Sequence, residues 1–243
     1  MFELRALGAL ELRGARLPRN PAVLRQPKRM ALLVYLALAR PRGFHRRDKL
    51  LALFWPESDE ERARHALRQA VYVLRCALGG RVIASRGDEE LALAGGTFAC
   101  DALEFESAVA EGALGRALAL YRGDLLDGFH LSGAAPEFDQ WVEEERARLR
   151  KLMVTAAWAQ AEARRAEGDS EAAREWARRA VSLSPIDEEA QRRFLLLLRG
   201  LGDRVGAVAA YTAYARRLAD EYELEPSAEL AELARSMRTA PCT

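Results

Sequence analysis

The chain has 243 residues, half of them apolar, with 37 basic and 36 acidic side chains. That is enough for an ordinary core in one large domain or two modest ones. The longest apolar run, Met30 to Ala39, covers ten residues, half of the roughly 20 needed to span a bilayer, and Glu3 and Arg5 interrupt the apolar N-terminus, which argues against a signal peptide. Cys76, Cys100 and Cys242 are odd in number and widely spaced, which predicts reduced thiols and a cytoplasmic protein. The histidines His45, His65 and His130 show no metal-ligand spacing, and His65 and Cys76 stand about 16 Å apart along one helix. No cofactor or metal is expected, and no membrane partner.

The near-neutral total hides a division. Residues 1–100 hold 18 basic and 10 acidic side chains; residues 101–243 hold 19 and 26. An excess of +8 confined to the first half points to an anionic partner for that half, and nucleic acid is the commonest. Of the 37 basic residues 34 are arginine. A coding bias accounts for arginine over lysine but not for the uneven distribution.

In chain order, "FELRALGALELRGARLP" alternates apolar and polar residues and predicts two or three short strands. "PRNPAVLRQP" predicts a loop, with Pro27 as the first residue of a helix that continues through "KRMALLVYLALA" to "RPRG". "RRDKLLALFWP" predicts a shorter helix ending at Pro56. Ser58 and Glu61 match a capping box and predict the start of a long helix that stops at Gly79-Gly80. "RVIASRG" and "ELALAGG", joined through "RGDE", predict a hairpin. Strands, three helices and a hairpin, in a basic segment, predict a winged helix-turn-helix over residues 1–96.

The third helix carries Arg62, Arg64, Arg68 and Arg75 and no lysine. At about 100° per residue, Ala63, Ala66, Leu67, Ala70, Val71, Leu74, Ala77 and Leu78 share one side, and Arg64, Arg68 and Arg75 fall within roughly 40° of one another on the other. His65, Gln69 and Tyr72 extend that polar face. Acids occur only in the first turn, where the helix dipole favours them; none follows Arg62, whereas a merely solvated face mixes signs. Arginine can fork onto guanine and glutamine onto adenine in the major groove, and Tyr or His can bond phosphate. Arg86, at the predicted hairpin tip, is a candidate for the minor groove. The expected DNA contacts are therefore Arg64, His65, Arg68, Gln69, Tyr72, Arg75 and Arg86.

From Asp101 the composition turns to Ala, Glu, Leu and Arg. Helices are predicted over "DALEFESAVAEG", "ALGRALALYRG" and the long stretch from Pro136 to Gly168, with "DLLDGFHLSGAAP" as a loop. Gly168-Asp169 and Gly202-Asp203 recur 34 residues apart, each before a helix in which Ala177 corresponds to Tyr211 and Ala180 to Tyr214. A 34-residue helical period is the tetratricopeptide signature. Residues 97–243 are thus predicted to form an all-α tetratricopeptide-like domain, with Trp141, Trp158 and Trp176 as core anchors. The predicted class is mainly α: an N-terminal α+β winged helix-turn-helix followed by this helical domain.

Several stretches together resemble one family. "PKRMALLVYLAL", "RRDKLLALFWP" with Trp55-Pro56, "ARHALRQAVYVLRCAL", "YRGDLL", "WVEEERARLR" and "EYELEPSAEL" are similar to the transcriptional activators of the Streptomyces antibiotic regulatory protein type, an OmpR-like winged helix followed by a bacterial transcriptional activator domain. Two positions depart from the pattern. Arg46 stands where the family has the Ser or Thr cap of its second helix, and Glu223 where it has Gly. The chain carries no P-loop and resembles the short members. The resemblance implies an activator bound to direct promoter repeats in double-stranded DNA, contacting RNA polymerase, with the helical domain supporting a homodimer.

Two other classes compete. One is a tetratricopeptide adaptor whose winged helix does not touch DNA. The other is an enzyme, for which only Asp139 and Glu143 share a helix face; Arg146 and Arg150 at the same spacing make surface ion pairs the simpler account.

Overall fold

A computed structural model describes residues 2–14, 26–94 and 98–239. The predicted loop before Pro27 falls largely outside these. The fold is mainly α, with a winged-helix part at the N-terminus and helices after it. No helix among the described residues is long and apolar enough to cross a membrane. The chain divides into two compact units, Met1–Leu149 and Arg150–Thr243. The division lies inside a helix and not at the change of composition at Asp101.

In the first unit, β1 (Phe2–Arg5) pairs antiparallel with β2 (Glu11–Arg13) and parallel with β6 (Phe98–Cys100), Leu4 facing Leu12 on one side and Cys100 on the other. The three-residue β6 is too short to show a period in sequence. α4 (Asp101–Ala110) begins directly after it, and the buried Asp101 carboxylate accepts hydrogen bonds from the Ala6 amide (2.8 Å), the Leu7 amide (3.2 Å) and Arg122 (2.8 Å). α5 (Leu114–Leu120) follows, and the loop after it runs beside the end of β1, with Leu126 donating to the Ala6 carbonyl at 2.8 Å. Burial pushes the Cys100 thiol up to about 12.

α1 (Pro27–Leu38) starts with its proline in the first turn, as expected. Every residue from Met30 to Leu38 is buried, so the helix is covered on all sides where its sequence suggested only a broad apolar face. Tyr35 meets Phe54 edge-on at 6.0 Å and Trp141 at 4.7 Å, and Phe138 lies 5.2 Å from Phe54. His45 is buried against Tyr35, where burial holds its imidazole below its ordinary value.

α2 (Arg47–Phe54) has no side-chain cap; Arg46, in the position where the family carries Ser or Thr, instead belongs to the two-residue strand β3 (His45–Arg46). The Arg47 amide at the helix start donates to the Glu89 carbonyl at 2.8 Å. β3 pairs with β5 (Glu90–Leu93), which pairs antiparallel with β4 (Ile83–Arg86), giving the wing three strands where the sequence predicted two. Between β3 and β5 the register is set by His45 opposite Leu91.

α3 (Glu60–Leu78) corrects one expectation: its cap is Asp59, whose carboxylate accepts from the Arg62 amide at 2.8 Å, and not Ser58. A carboxylate one residue later does the same work as the expected hydroxyl and adds a favourable charge at the positive helix end. Gly79, at φ 102°, ends the helix as predicted.

α6 (Pro136–Ala166) carries the chain out of the first unit. The second unit continues with α7 (Ser170–Ser182), α8 (Glu188–Gly200), α9 (Arg204–Tyr222) and α10 (Ala228–Thr239), with α8 against α7 and α9, and α10 against α8 and α9. The 34-residue period appears in the caps. Asp169 and Asp203 each follow a left-handed glycine and accept from the amide three residues on, Ala172 at 3.1 Å and Gly206 at 2.8 Å.

The three tryptophans are not equivalent. Trp158 is 4% exposed, with the Arg193 guanidinium 4.3 Å from its ring centre, while Trp141 and Trp176 are only half-buried. The three predicted anchors pack to different depths: Trp158 is covered, Trp141 lies against Tyr35 and Phe138, and Trp176 meets the Arg179 guanidinium at 5.5 Å.

Glu223, in the position where the family has Gly, ends α9 in the left-handed conformation at φ 54°. That conformation costs an L side chain about 1–2 kcal/mol, while glycine loses about 0.4–1 kcal/mol by loosening the unfolded chain. Glu223→Gly is therefore expected to stabilise the second unit by about 0.5–1 kcal/mol, read as a rise in Tm of a few degrees. An unchanged or lower Tm would show that the glutamate side chain contributes contacts of its own.

Candidate nucleic-acid interface

The outer face of α3 forms the site. Of the eight residues expected on its buried side, Ala63, Leu67, Ala70, Val71, Leu74 and Leu78 are buried and Ala66 and Ala77, at the margins, are half-buried; Arg64, His65, Arg68, Gln69 and Tyr72 are exposed. Tyr72 is 64% exposed, unusual for a large ring. Cys76, one turn on, hydrogen-bonds the phenol and holds its pKa above the ordinary value.

A groove flanks the helix on each side. Lys28, Arg29, Trp55, His65, Gln69 and His130 line a cavity of about 470 Å³ on one flank. Lys28 donates to the Gly133 carbonyl at 2.7 Å and stands over the Trp55 ring; burial lowers the pKa of both Lys28 and Arg29. On the other flank Arg47, Arg64 and Arg68 face Asp48 and the wing-tip acids Asp88 and Glu89. The Arg47 Nε is buried without a hydrogen-bond partner. Burial depresses its pKa first, with Arg75 and Arg68 adding to that and Asp88 opposing it.

The seven sequence-predicted residues fall into different settings. Arg68 makes no ion pair or hydrogen bond among the described residues, and it lines the groove between α2 and the wing tip. Arg64 pairs with Glu60 one turn earlier at 2.5 Å. His65 and Gln69 line the first groove. Arg75 is half-buried: its Nε and Nη2 donate to the Ile83 carbonyl at 3.0 and 2.8 Å, and Nη2 also to Ser85 Oγ at 2.8 Å. It clasps β4 to α3, so it lies apart from the open face to which its helical angle assigned it. Arg86 is the last residue of β4 and not the hairpin tip, which is Gly87 to Glu89. It pairs with Glu90 at 3.1 Å and lies 4.1 Å from the Phe44 ring centre.

Sequence reasoning overlooked Lys28, Arg29 and Arg47. Their signal was present, since each stands in the first turn of a helix that flanks α3, but only the packing of α1 and α2 brings those turns beside the exposed face of α3. No group of three metal-ligating side chains occurs among the described residues.

A model of the bacterial transcriptional activator domain matches residues 89–238. No curated protein matches the chain. Among solved structures the chain is similar to Mycobacterium tuberculosis EmbR in complex with a low affinity phosphopeptide, with 25% sequence identity and a TM-score of 0.65. The likeness covers 100% of this chain and 66% of that one, so this chain spans about two thirds of its length. With the family model matched over well more than half of its residues, and the winged helix and helical repeats in place around it, the chain belongs to the bacterial transcriptional activator domain family, in the Streptomyces antibiotic regulatory protein type.

Proposed function

We propose that the chain is a DNA-binding transcriptional activator, a regulator and not an enzyme, working in the cytoplasm on double-stranded promoter repeats. The observation that carries this is the exposed, acid-free face of α3 from Arg64 to Tyr72, in a segment with an excess of +8. α3 enters the major groove. Arg68 reads a base edge, since it has no internal partner to give up, and Gln69 stands one position further round the same face. His65 and Tyr72 bond phosphate. Arg64 exchanges its exposed pair with Glu60 for a phosphate; such pairs are worth only about 0.2–1 kcal/mol. The wing lies at the minor groove, with Arg86 released from Glu90 to reach it. Arg75 acts by holding the wing at its angle to α3. The helical part, residues 97–243, supports a homodimer and contact with RNA polymerase, and the DNA-binding segment ends near residue 96.

The test is an anisotropy titration of the full chain against a selected duplex and its single-base variants, at several salt concentrations. Arg68→Ala is expected to cost about 1–3 kcal/mol and relax the preference at one base position. Arg64→Ala weakens all sequences alike and lowers the salt slope by about one unit. Absence of binding to any duplex would leave the adaptor reading, in which Arg64, Arg75 and Arg86 keep their internal partners, and binding that survives both changes would put the DNA contact elsewhere than on α3.

A further inference from the structure

The second unit contains a groove that the DNA-binding reading does not use. It lies between α7 and α9, the two helices that follow the Gly-Asp turns, and has a volume of about 340 Å³. Phe194, Leu198 and Tyr214 form its apolar floor. Its two walls differ. α9 presents Gly206, Ala209 and Ala213, small residues at helical spacing that leave the space open, with Arg217 one turn beyond them. α7 presents Arg174 and Arg178, one turn apart on the same face.

We propose that this groove docks an acidic peptide segment with interspersed apolar side chains, supplied by a partner protein. Charge selects the occupant. Residues 150–243 hold 15 basic and 15 acidic side chains, yet the groove is lined by three arginines and one acid, Asp203. Arg178 is exposed and has no ion pair or hydrogen bond among the described residues. Arg217 has only a long 3.8 Å pair with Glu221. Arg174 stands 3.0 Å from Asp203 through Nε, but that buried nitrogen has no aligned acceptor. Guanidinium donors in this state bond carboxylates more strongly than neutral acceptors. The floor takes the apolar side chains. From Asp203 to Arg217 the groove runs about 21 Å, the length of roughly six extended residues.

The proposal does not depend on DNA binding and is tested on the full chain with three labelled peptides. The first has an Asp-Leu-Asp-Leu-Asp-Leu-Asp core; in the others Lys replaces Asp, or Ser replaces Leu. The Asp-Leu peptide is expected to bind in the micromolar range and to weaken several-fold as salt is raised. Arg178→Glu with Arg217→Glu is expected to weaken it at least tenfold, and Ala213→Trp, which fills the groove from an exposed position, to do the same. Both variants keep the Tm of the parent, which separates lost docking from lost folding. Affinity for DNA stays as in the parent, so failure of either reading is visible without the other. The proposal is overturned if the Asp-Leu peptide does not bind, if either control peptide binds as well, or if binding is lost in Arg68→Ala and retained in the groove variants.

Discussion

Asp101→Ala is expected to destabilise the first unit by about 3–5 kcal/mol, the range for removing one partner of a buried, hydrogen-bonded charge. The carboxylate is 4% exposed and holds three donors from two other parts of the chain: the Ala6 and Leu7 amides at the end of β1, and Arg122 after α5. Alanine leaves two buried amides without an acceptor, each costing about 1–3 kcal/mol, and an arginine without its acid. Arg122→Ala is expected to cost less, because the Arg122 side chain is 41% exposed and its removal leaves both amides bonded. The measurement is thermal and denaturant unfolding of the three proteins, with a fall in Tm for Asp101→Ala of roughly 6–20 °C at 2–4 °C per kcal/mol. A loss as small as that of Arg122→Ala would mean that water replaces the carboxylate at the two amides.

Trp158→Ala is expected to cost the second unit about 3–5 kcal/mol, the range for a fully buried tryptophan. Trp158 lies in α6 with its ring covered and the Arg193 guanidinium stacked on it. Trp176→Ala is expected to cost about half as much. Trp176 is half-buried and faces the Arg179 guanidinium at 5.5 Å, so alanine removes less apolar contact and leaves an opening that solvent already reaches. Tm values for the two variants decide the matter. Equal losses would mean that both rings anchor the helices alike, as their spacing alone suggests.

Much of the fold was legible in the sequence wherever the deciding interaction is local. The buried stripe of α3 follows from apolar residues at helical spacing, and its exposed face from the same angles. Pro27 starts α1, Gly79 ends α3, and Asp169 and Asp203 begin α7 and α9, because caps and turns act within four residues. Glu223, a departure from the family's glycine that put the local turn in question, keeps the left-handed conformation that ends α9. The candidate site was half legible by the same rule: helical angles identify which side chains leave the core, and five of the seven named residues stand on the open α3 face.

What the angles could not determine is what each exposed arginine meets. Arg75 and Arg68 stand seven residues apart on one side of α3, yet Arg75 is taken by the Ile83 carbonyl of the wing and Arg68 is not. Spacing alone puts Arg86 at a hairpin tip, whereas it ends β4, and only the turn preceding α2 brings Phe44 beneath it. β3 and β6 are too short to carry a period and exist because β5 and β1 lie alongside them. The boundary between units shows the same limit. Composition changes at Asp101, but β6 pairs with β1 and Asp101 itself bonds an amide 95 residues away, and the first compact unit runs on to Leu149. By itself the sequence determined the helices, most of their ends, the buried stripe of α3 and the 34-residue repeat, all interactions within a few residues; the tertiary structure alone decided which charges are free, which acids hold distant amides and where an arginine-rimmed groove opens, because those depend on side chains brought together from far along the chain.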